Sequence, residues 1–404
     1  MPPSVTLKQG AMCVVVAVFL SINNGVIHYY TAKCREVNSG IIQQGGLHLP
    51  QSTSSKAIIK YENESYIGPQ RTYQVWPHNL TFPCYEAEDD WNTIQRQKNA
   101  TAEGLLFVRE KKTGSSTLAG TFLRLAHRKG DEINVNRGPC KMRIDHQSAQ
   151  KMLYHKRTKN KSFLMSLLRH PTQRAISSFF HFSVSQFKTE PTDSNFQSYL
   201  LQTEGIRNYY TSDLTMLPVD FTEDPNKVVQ EIIDGYDLIG ITERMDESLV
   251  VMKMLLGLET ADILYMSAKR GGSFTAAPPP LYCIYLVPAF LTEGMQDFFA
   301  SDVWLDIMKY DLLLYRAANK SLDNTIDALG REEFEKQLKE FREVLAVAQT
   351  ICESETVYRC DKTGTYVGNM NSTCLLWDIG CGYHCLNQFY NPSANPNSRK
   401  YSRS

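Results

Sequence analysis

"FVREKKTGSSTLAG", residues Phe107 to Gly120, sets two lysines against a small-residue turn and then runs into an amphipathic segment. Just upstream, "LLFV" from Leu105 is a short apolar run of the kind that makes a buried strand. Downstream, "STLAGTFLRLAHR" places Leu118, Phe122 and Leu125 at i, i+4 and i+7, the spacing of one helix face. The stretch reads strand, loop, helix. The same order recurs in "KSFLMSLLRHPTQRAISSFFHF", where Phe163 to Leu168 is the strand, Arg169 and His170 end it, and Pro171 suits the first turn of a helix. A third unit, "YDLIGITERMDESLVVMKMLLG", runs from a strand at Asp237 to Thr242 into a helix around Glu247 to Leu256, and "ADILYMS" offers a further strand. Strands alternating with helices imply an α/β fold with a central parallel sheet, right-handed crossovers and helices on both faces. Ligands of such sheets sit at the carboxyl ends of strands, where both the lysine turn and Arg169 fall.

A strand entering a helix through a glycine turn aims backbone N–H groups and the positive end of the helix dipole at one point. Here Lys112 adds a mobile charge, Gly114 the turn, and Thr113, Ser115, Ser116 and Thr117 add hydroxyl donors. Read alone, the same residues also fit an ordinary Ser/Thr helix cap. The order differs from the nucleoside-triphosphate loop G-x-x-x-x-G-K-[ST], because the lysine leads and only Gly114 follows. With no evident metal-holding aspartate of the Walker-B kind, ATP hydrolysis is disfavoured. Arg169 and Ser177, the latter about two helical turns beyond Pro171, offer a second set of anion donors at the same sheet edge. Two anion sites side by side suggest a nucleotide with phosphates at both ends.

The surroundings of this core divide the 404 residues into four parts. Residues 1–30 carry an uncharged apolar run, Ala11 to Ile22, behind Lys8; at 12 residues it is short of the about 20 that span a bilayer, and it reads as a signal anchor or a signal peptide. Residues 31–100 are polar and read as a stem and entry segment, residues 101–352 as the catalytic domain, and residues 353–404 as a Cys-rich, disulfide-tied tail. Six N-x-[ST] sequons, at Asn63, Asn79, Asn99, Asn160, Asn319 and Asn371, and five cysteines between Cys352 and Cys385 suit an oxidising lumen. The C-x3-C of "CGYHCLNQ" lacks companion zinc-ligand spacing, so no metal is expected. Formal charge is zero, and nothing global argues for nucleic acid. Late in the chain, Phe334, Leu338, Phe341, Leu345 and Ala348 form one stripe of an amphipathic helix to which no chemistry is assigned.

On these residues the chain resembles a family. "KKTGSST" is similar to the 5'-phosphosulfate loop, and "LLRHPTQRAISSF" to the 3'-phosphate segment, of sulfotransferases that use 3'-phosphoadenosine 5'-phosphosulfate (PAPS). More narrowly, the order of these motifs, "YDLIGITERMDESLVVMKMLLG", "DILYMS" and the late helix ending in "TIC" resembles the galactose 3-O-sulfotransferases, which are Golgi type II membrane enzymes. The resemblance covers about Leu105 to Cys352. It implies a P-loop-type sheet, PAPS as co-substrate, a carbohydrate hydroxyl as acceptor and an N-terminal membrane anchor with a luminal catalytic domain. It assigns Lys112, Thr113, Gly114, Ser115, Ser116 and Thr117 to the 5'-phosphosulfate, and Arg169 and Ser177 to the 3'-phosphate. Two positions depart from the family: His170 stands where Asp is usual, and Lys111 where a His often precedes the loop lysine.

Sulfuryl transfer requires charge stabilisation on the leaving oxygen, a role for Lys112, and a base for the acceptor hydroxyl. His146 in "CKMRIDHQSAQKM" is the first choice, because imidazole titrates near neutrality and related sulfotransferases carry histidine between the two nucleotide motifs. Glu110 and Glu243, each at a strand end, are the runners-up. Between Lys141 and Lys161 lie seven Lys/Arg and two His with Asp145 as the only acid, which reads either as a funnel for anions or as a solvated face. Two other classes fit the topology: a Golgi glycosyltransferase, which this chain's lack of any D-x-D disfavours, and a catalytically inactive nucleotide- or glycan-binding secretory protein, whose mature form is secreted if the signal is cleaved.

Overall fold

The computed structural model describes residues 14–22, 25–33, 66–77, 79–80, 82–83, 103–133, 142–203, 205–267, 272–276, 282–354, 360–366 and 382–390. The chain forms two compact units, residues 1–48 and 49–404. In the first, Val14–Ile22 (β1) pairs antiparallel with Gly25–Lys33 (β2), so the described part of the apolar run read as an anchor, from Val14 on, is a strand. Among the described residues no helix is long and apolar enough to cross a membrane.

In the second unit, continuous apolar runs make a four-stranded parallel sheet. Gly104–Val108 (β3), Met142–Asp145 (β4), Ser162–Leu168 (β5) and Leu238–Ile241 (β6) lie in the order β4-β3-β5-β6. Every residue of β3, β5 and β6 is buried, as expected of strands covered on both faces, whereas the edge strand β4 alternates. Register places Val108 opposite both Asp145 and Ser166, and Leu168 opposite Ile241. From β3 the chain passes through Ser115–Ile133 (α1) to β4 on one side, then crosses back to β5 on the other. The strand order thus reverses between β3 and β5, and the carboxyl ends of such a pair open the crevice where α/β sheets take ligands.

Pro171–Ser178 (α2) follows β5 and continues as a π-helical turn, Phe179–Gln186. With Asp193–Gln202 (α3) and later helices this region closes a second aromatic core, in which the Phe179 and Phe196 rings meet edge to face at 5.1 Å. Tyr209–Leu214 (α4) and Pro225–Gly235 (α5) lead to β6, and Met245–Leu256 (α6) leaves it. The strand read in "ADILYMS" is instead a 3-10 turn at Thr260–Ile263. Buried Asp262 accepts the Glu259 N–H at 2.8 Å and pairs with Arg128, which closes a turn and leaves no ladder to join.

Glu293–Ala300 (α7), Asp302–Ile307 (α8), Lys309–Leu329 (α9) and Arg331–Glu353 (α10) complete the domain. The whole stripe Phe334, Leu338, Phe341, Leu345 and Ala348 is buried, as its spacing predicts. Part of the polar entry segment is an extended strap tied to helices: Arg71 N–H donates to Ser321 Oγ and Tyr73 N–H to Thr325 Oγ1, both at 2.9 Å. Among the described residues the tail is tied by two disulfides. Cys352 of α10 bonds Cys385 of the short helix Tyr383–Asn387 (α11), and Cys360 bonds Cys283, which lies upstream in the hairpin of Ser273–Ala276 (β7) and Tyr282–Tyr285 (β8). Cys385, the second cysteine of "CGYHC", is therefore engaged in a disulfide.

Candidate functional site at the carboxyl edge of the sheet

After Val108 the chain leaves the sheet through Arg109, Glu110 and the lysine turn. Lys112 adopts φ +68° and Gly114 φ +74°. For glycine this left-handed backbone is free; for lysine it is a strained conformation of the kind that collects at functional sites. The hydroxyls divide into two groups. Thr113 Oγ1 and Ser115 Oγ are buried and donate to the Glu110 carbonyl, at 3.1 and 2.5 Å, so they build the turn and do not line a cradle. Ser116, half-buried, accepts from Arg109 Nη2 at 2.9 Å and keeps its own proton to donate. Thr117 is buried in the first turn of α1, with its N–H on the Gly114 carbonyl at 3.0 Å.

Arg169 stands one residue past the end of β5. Its guanidinium reaches the lysine turn, with Nη1 at 3.4 Å from the Lys112 carbonyl, so the two anion-binding elements read from sequence meet at the switch point. Ser177 lies half-buried on α2, about 9 Å along the axis from Pro171 by helical rise. No hydrogen bond joins it to Arg169 among the described residues.

Both elements are laced to the end of β6. Thr242 Oγ1 donates to the Thr113 carbonyl at 2.6 Å. Glu243 accepts the His170 N–H on one oxygen at 2.9 Å and the Tyr315 hydroxyl on the other at 3.2 Å. Glu243 is thus a brace for the Arg169–His170 step, with both oxygens occupied. His170 packs edge-on against Tyr315, and burial, then the Arg316 and Arg169 charges, push its pKa down to about 4. The ring is neutral at pH 7, so the residue that replaces an expected Asp brings no charge.

Glu110 is buried under the turn and neither carboxyl oxygen makes a hydrogen bond, although the Tyr209 hydroxyl lies close enough to ease its ionisation. Burial first, then the neighbouring Asp213, push its pKa well up. A side chain without contact to solvent is not placed to take a proton from an acceptor. His146, by contrast, is exposed just beyond β4, with Nδ1 at 2.5 Å from the Arg109 carbonyl. A carbonyl only accepts, so Nδ1 carries the proton and Nε2 the lone pair of the neutral ring, the tautomer a base requires.

The basic segment from Lys141 to Lys161 divides between the two ends of the sheet. It runs along β4 to the carboxyl end of that strand and returns to the amino end of β5, where buried Arg157 pairs with Asp237 at 2.6 Å and Lys161 with Glu103 at 3.9 Å. Its part from Asp145 to His146 lies at the edge that carries the site. Sequence reading missed Arg109, beside the lysine turn, and Thr242, Tyr209, Tyr210 and Asp311, which hold the two loops from a distance in the chain. Of the sequons, Asn79 and Asn160 are exposed and Asn319 is half-buried in α9; Asn63, Asn99 and Asn371 lie outside the described residues. No family model matches the chain, and no match was found among curated proteins or solved structures.

Proposed function

We propose that the chain transfers a sulfuryl group from PAPS to an acceptor hydroxyl of a carbohydrate, on a glycolipid, glycoprotein or polysaccharide. The observation that carries this reading is the meeting of Arg169 with the lysine turn across the β3/β5 switch point. One anion element suits many ligands; two, on adjacent strand ends, suit a nucleotide charged at both its 5' and 3' positions. Lys112, Ser116 and the N–H groups that open α1 hold the 5'-phosphosulfate, and Arg169 with Ser177 holds the 3'-phosphate.

His146 Nε2 takes the acceptor proton as the acceptor oxygen bonds to sulfur. Lys112 neutralises the 5'-phosphate oxygen as its bond to sulfur breaks, leaving adenosine 3',5'-bisphosphate on the enzyme. No metal enters the scheme. The setting that fits is the Golgi lumen, with the N-terminal segment as membrane anchor. The two disulfides among the described residues and the exposed sequons Asn79 and Asn160 suit that compartment.

The test is incubation of the full chain with sulfate-labelled PAPS on a glycan array. Label on at least one glycan is expected, and bisphosphate binding without any transfer would reduce the protein to a nucleotide-binding one. A His146→Ala variant is expected to lose about 10²- to 10⁴-fold in turnover while keeping bisphosphate affinity. Full turnover in that variant removes His146 from the mechanism.

A further inference from the structure

Two consecutive tyrosines on α4 touch the two halves of the site, one each. The Tyr209 hydroxyl accepts the Lys111 N–H at 3.2 Å, at the start of the lysine turn. The Tyr210 hydroxyl brackets Arg169, accepting its N–H at 3.2 Å and donating to its carbonyl at 2.9 Å. Both bonds to Arg169 fall one residue beyond β5, where the ladder has ended and the backbone groups need other partners. Tyr210 is fully buried and Tyr209 nearly so.

The helix that carries them is itself pinned. Asp311 on α9 accepts the Tyr210 and Thr211 N–H groups and the Thr211 hydroxyl, at 3.0, 2.9 and 2.9 Å. Asn208, just before α4, adopts the left-handed conformation that asparagine tolerates and accepts the Tyr310 N–H at 3.1 Å. From the other side, the Arg174 guanidinium lies 3.9 Å from the centroid of the Tyr209 ring and 5.5 Å from that of Tyr210. Arg174 belongs to α2, so the element that follows Arg169 also clamps the tyrosines. Burial pushes the pKa of both hydroxyls up, which keeps them protonated and the donation to Arg169 intact across the physiological range.

We propose that Tyr209 and Tyr210 are a paired positioning device that fixes the spacing between the 5'- and 3'-anion elements, Tyr209 acting through the lysine turn and Tyr210 through Arg169. The inference rests on the sulfuryl-donor reading above and deepens it. Neither tyrosine touches ligand; each sets the backbone of a residue that does. Replacing a hydroxyl that satisfies partly buried backbone groups by hydrogen removes that partner, while the ring and its packing on Arg174 remain. The effects are separable by which end of the nucleotide they weaken, a distinction that a merely structural role does not make.

The experiment titrates the full chain, Tyr209→Phe and Tyr210→Phe with adenosine 3',5'-bisphosphate, adenosine 5'-phosphate and adenosine 3'-phosphate by calorimetry, with circular dichroism confirming each fold. Tyr210→Phe is expected to weaken the two ligands that carry a 3'-phosphate roughly tenfold and to leave adenosine 5'-phosphate unchanged. Tyr209→Phe is expected to weaken the two that carry a 5'-phosphate by a similar factor and to spare adenosine 3'-phosphate. In an Arg169→Ala background, Tyr210→Phe is expected to add no further loss. Equal losses for all three ligands, no loss in either variant, or additive losses with Arg169→Ala overturn the inference while leaving the nucleotide reading in place. A parent chain that binds none of the three removes the nucleotide reading and the inference with it. Should one variant fail to fold, the other decides by its own pattern.

Discussion

The two strand ends that meet at the switch point are built by different means. At the end of β3 the backbone does the work: Lys112 and Gly114 turn left-handed, two hydroxyls are used internally, and the opening of α1 faces the crevice. At the end of β5 one side chain, Arg169, carries the charge, and its backbone is held from outside by Tyr210 and through its neighbour His170 by Glu243. The first loop is built mainly from its own residues, with Thr242 and Tyr209 as outside ties, whereas the second is held chiefly by distant ones. A loop of the first kind is most sensitive to a change of its own conformation; one of the second kind to the removal of a remote support.

Of the residues at the two strand ends, the largest effect is expected from Lys112, where charge and strain coincide. Lys112→Gly removes the ammonium but relieves a left-handed conformation worth about 1–2 kcal/mol for a residue with a side chain, offset by the roughly 0.5–1 kcal/mol of entropy that glycine costs. Turnover of labelled PAPS is expected to fall about 10²- to 10³-fold. The melting temperature is expected to be no lower than the parent's. A variant that loses activity because it melts early would show that Lys112 is structural.

Arg169→Ala breaks the other side of the comparison. Loss of a charge-assisted contact is expected to weaken adenosine 3',5'-bisphosphate about 10- to 100-fold, measured by calorimetry, with adenosine 5'-phosphate nearly unaffected. Equal weakening of both would mean that the guanidinium serves the lysine turn, through the Lys112 carbonyl, more than it serves a ligand.

Gly114→Ala separates conformation from space at the first loop. A β-carbon there would come 3.4 Å from Met245 Cε and 3.6 Å from Thr242 Cγ2, ordinary contacts, so the cost is the positive φ alone. Chemical denaturation is expected to record a loss of about 1–2 kcal/mol. A neutral substitution would show that the turn relaxes, and would weaken the case for a backbone-built cradle.

What the sequence discloses follows the same division. The strands β3, β5 and β6 and the buried stripe of α10 are legible because apolar runs and helical spacing are local signals. The edge strand β4 is missed because its four residues alternate too briefly to stand out. The residue types of the lysine turn point to an anion, but residue type says nothing of which hydroxyl faces inward; Thr113 and Ser115 do so because the Glu110 carbonyl, at the end of the β3 ladder, needs donors. Tyr209 and Tyr210 act on residues 98 and 41 positions away, and no spacing rule connects them.

The smallest effect concerns His170, on the side-chain-held segment, and its sign follows from proton counting. A histidine with pKa about 6.5 in the unfolded chain and about 4 in the fold binds more proton when unfolded between those values, so its share of stability falls as pH drops through that window. Asp311 runs the other way: burial raises it from 3.8 to about 6, so its share is complete below pH 3.8 and is lost as pH rises through 6. Glu110, also raised by burial, acts in the same sense as Asp311. Between pH 4 and 6 the histidine and the acids oppose one another. His170→Gln removes the histidine's arm and leaves the acids', so melting temperatures measured at pH 4, 5 and 6 are expected to fall more steeply with rising pH than the parent's. Because the ring is only half-buried, water screens part of the shift, and the difference across the window is expected to be about 2–4 °C. An unchanged slope would mean that His170 already exchanges its proton freely with solvent, and that Glu243 and Tyr315 brace the backbone of this step without enclosing its side chain.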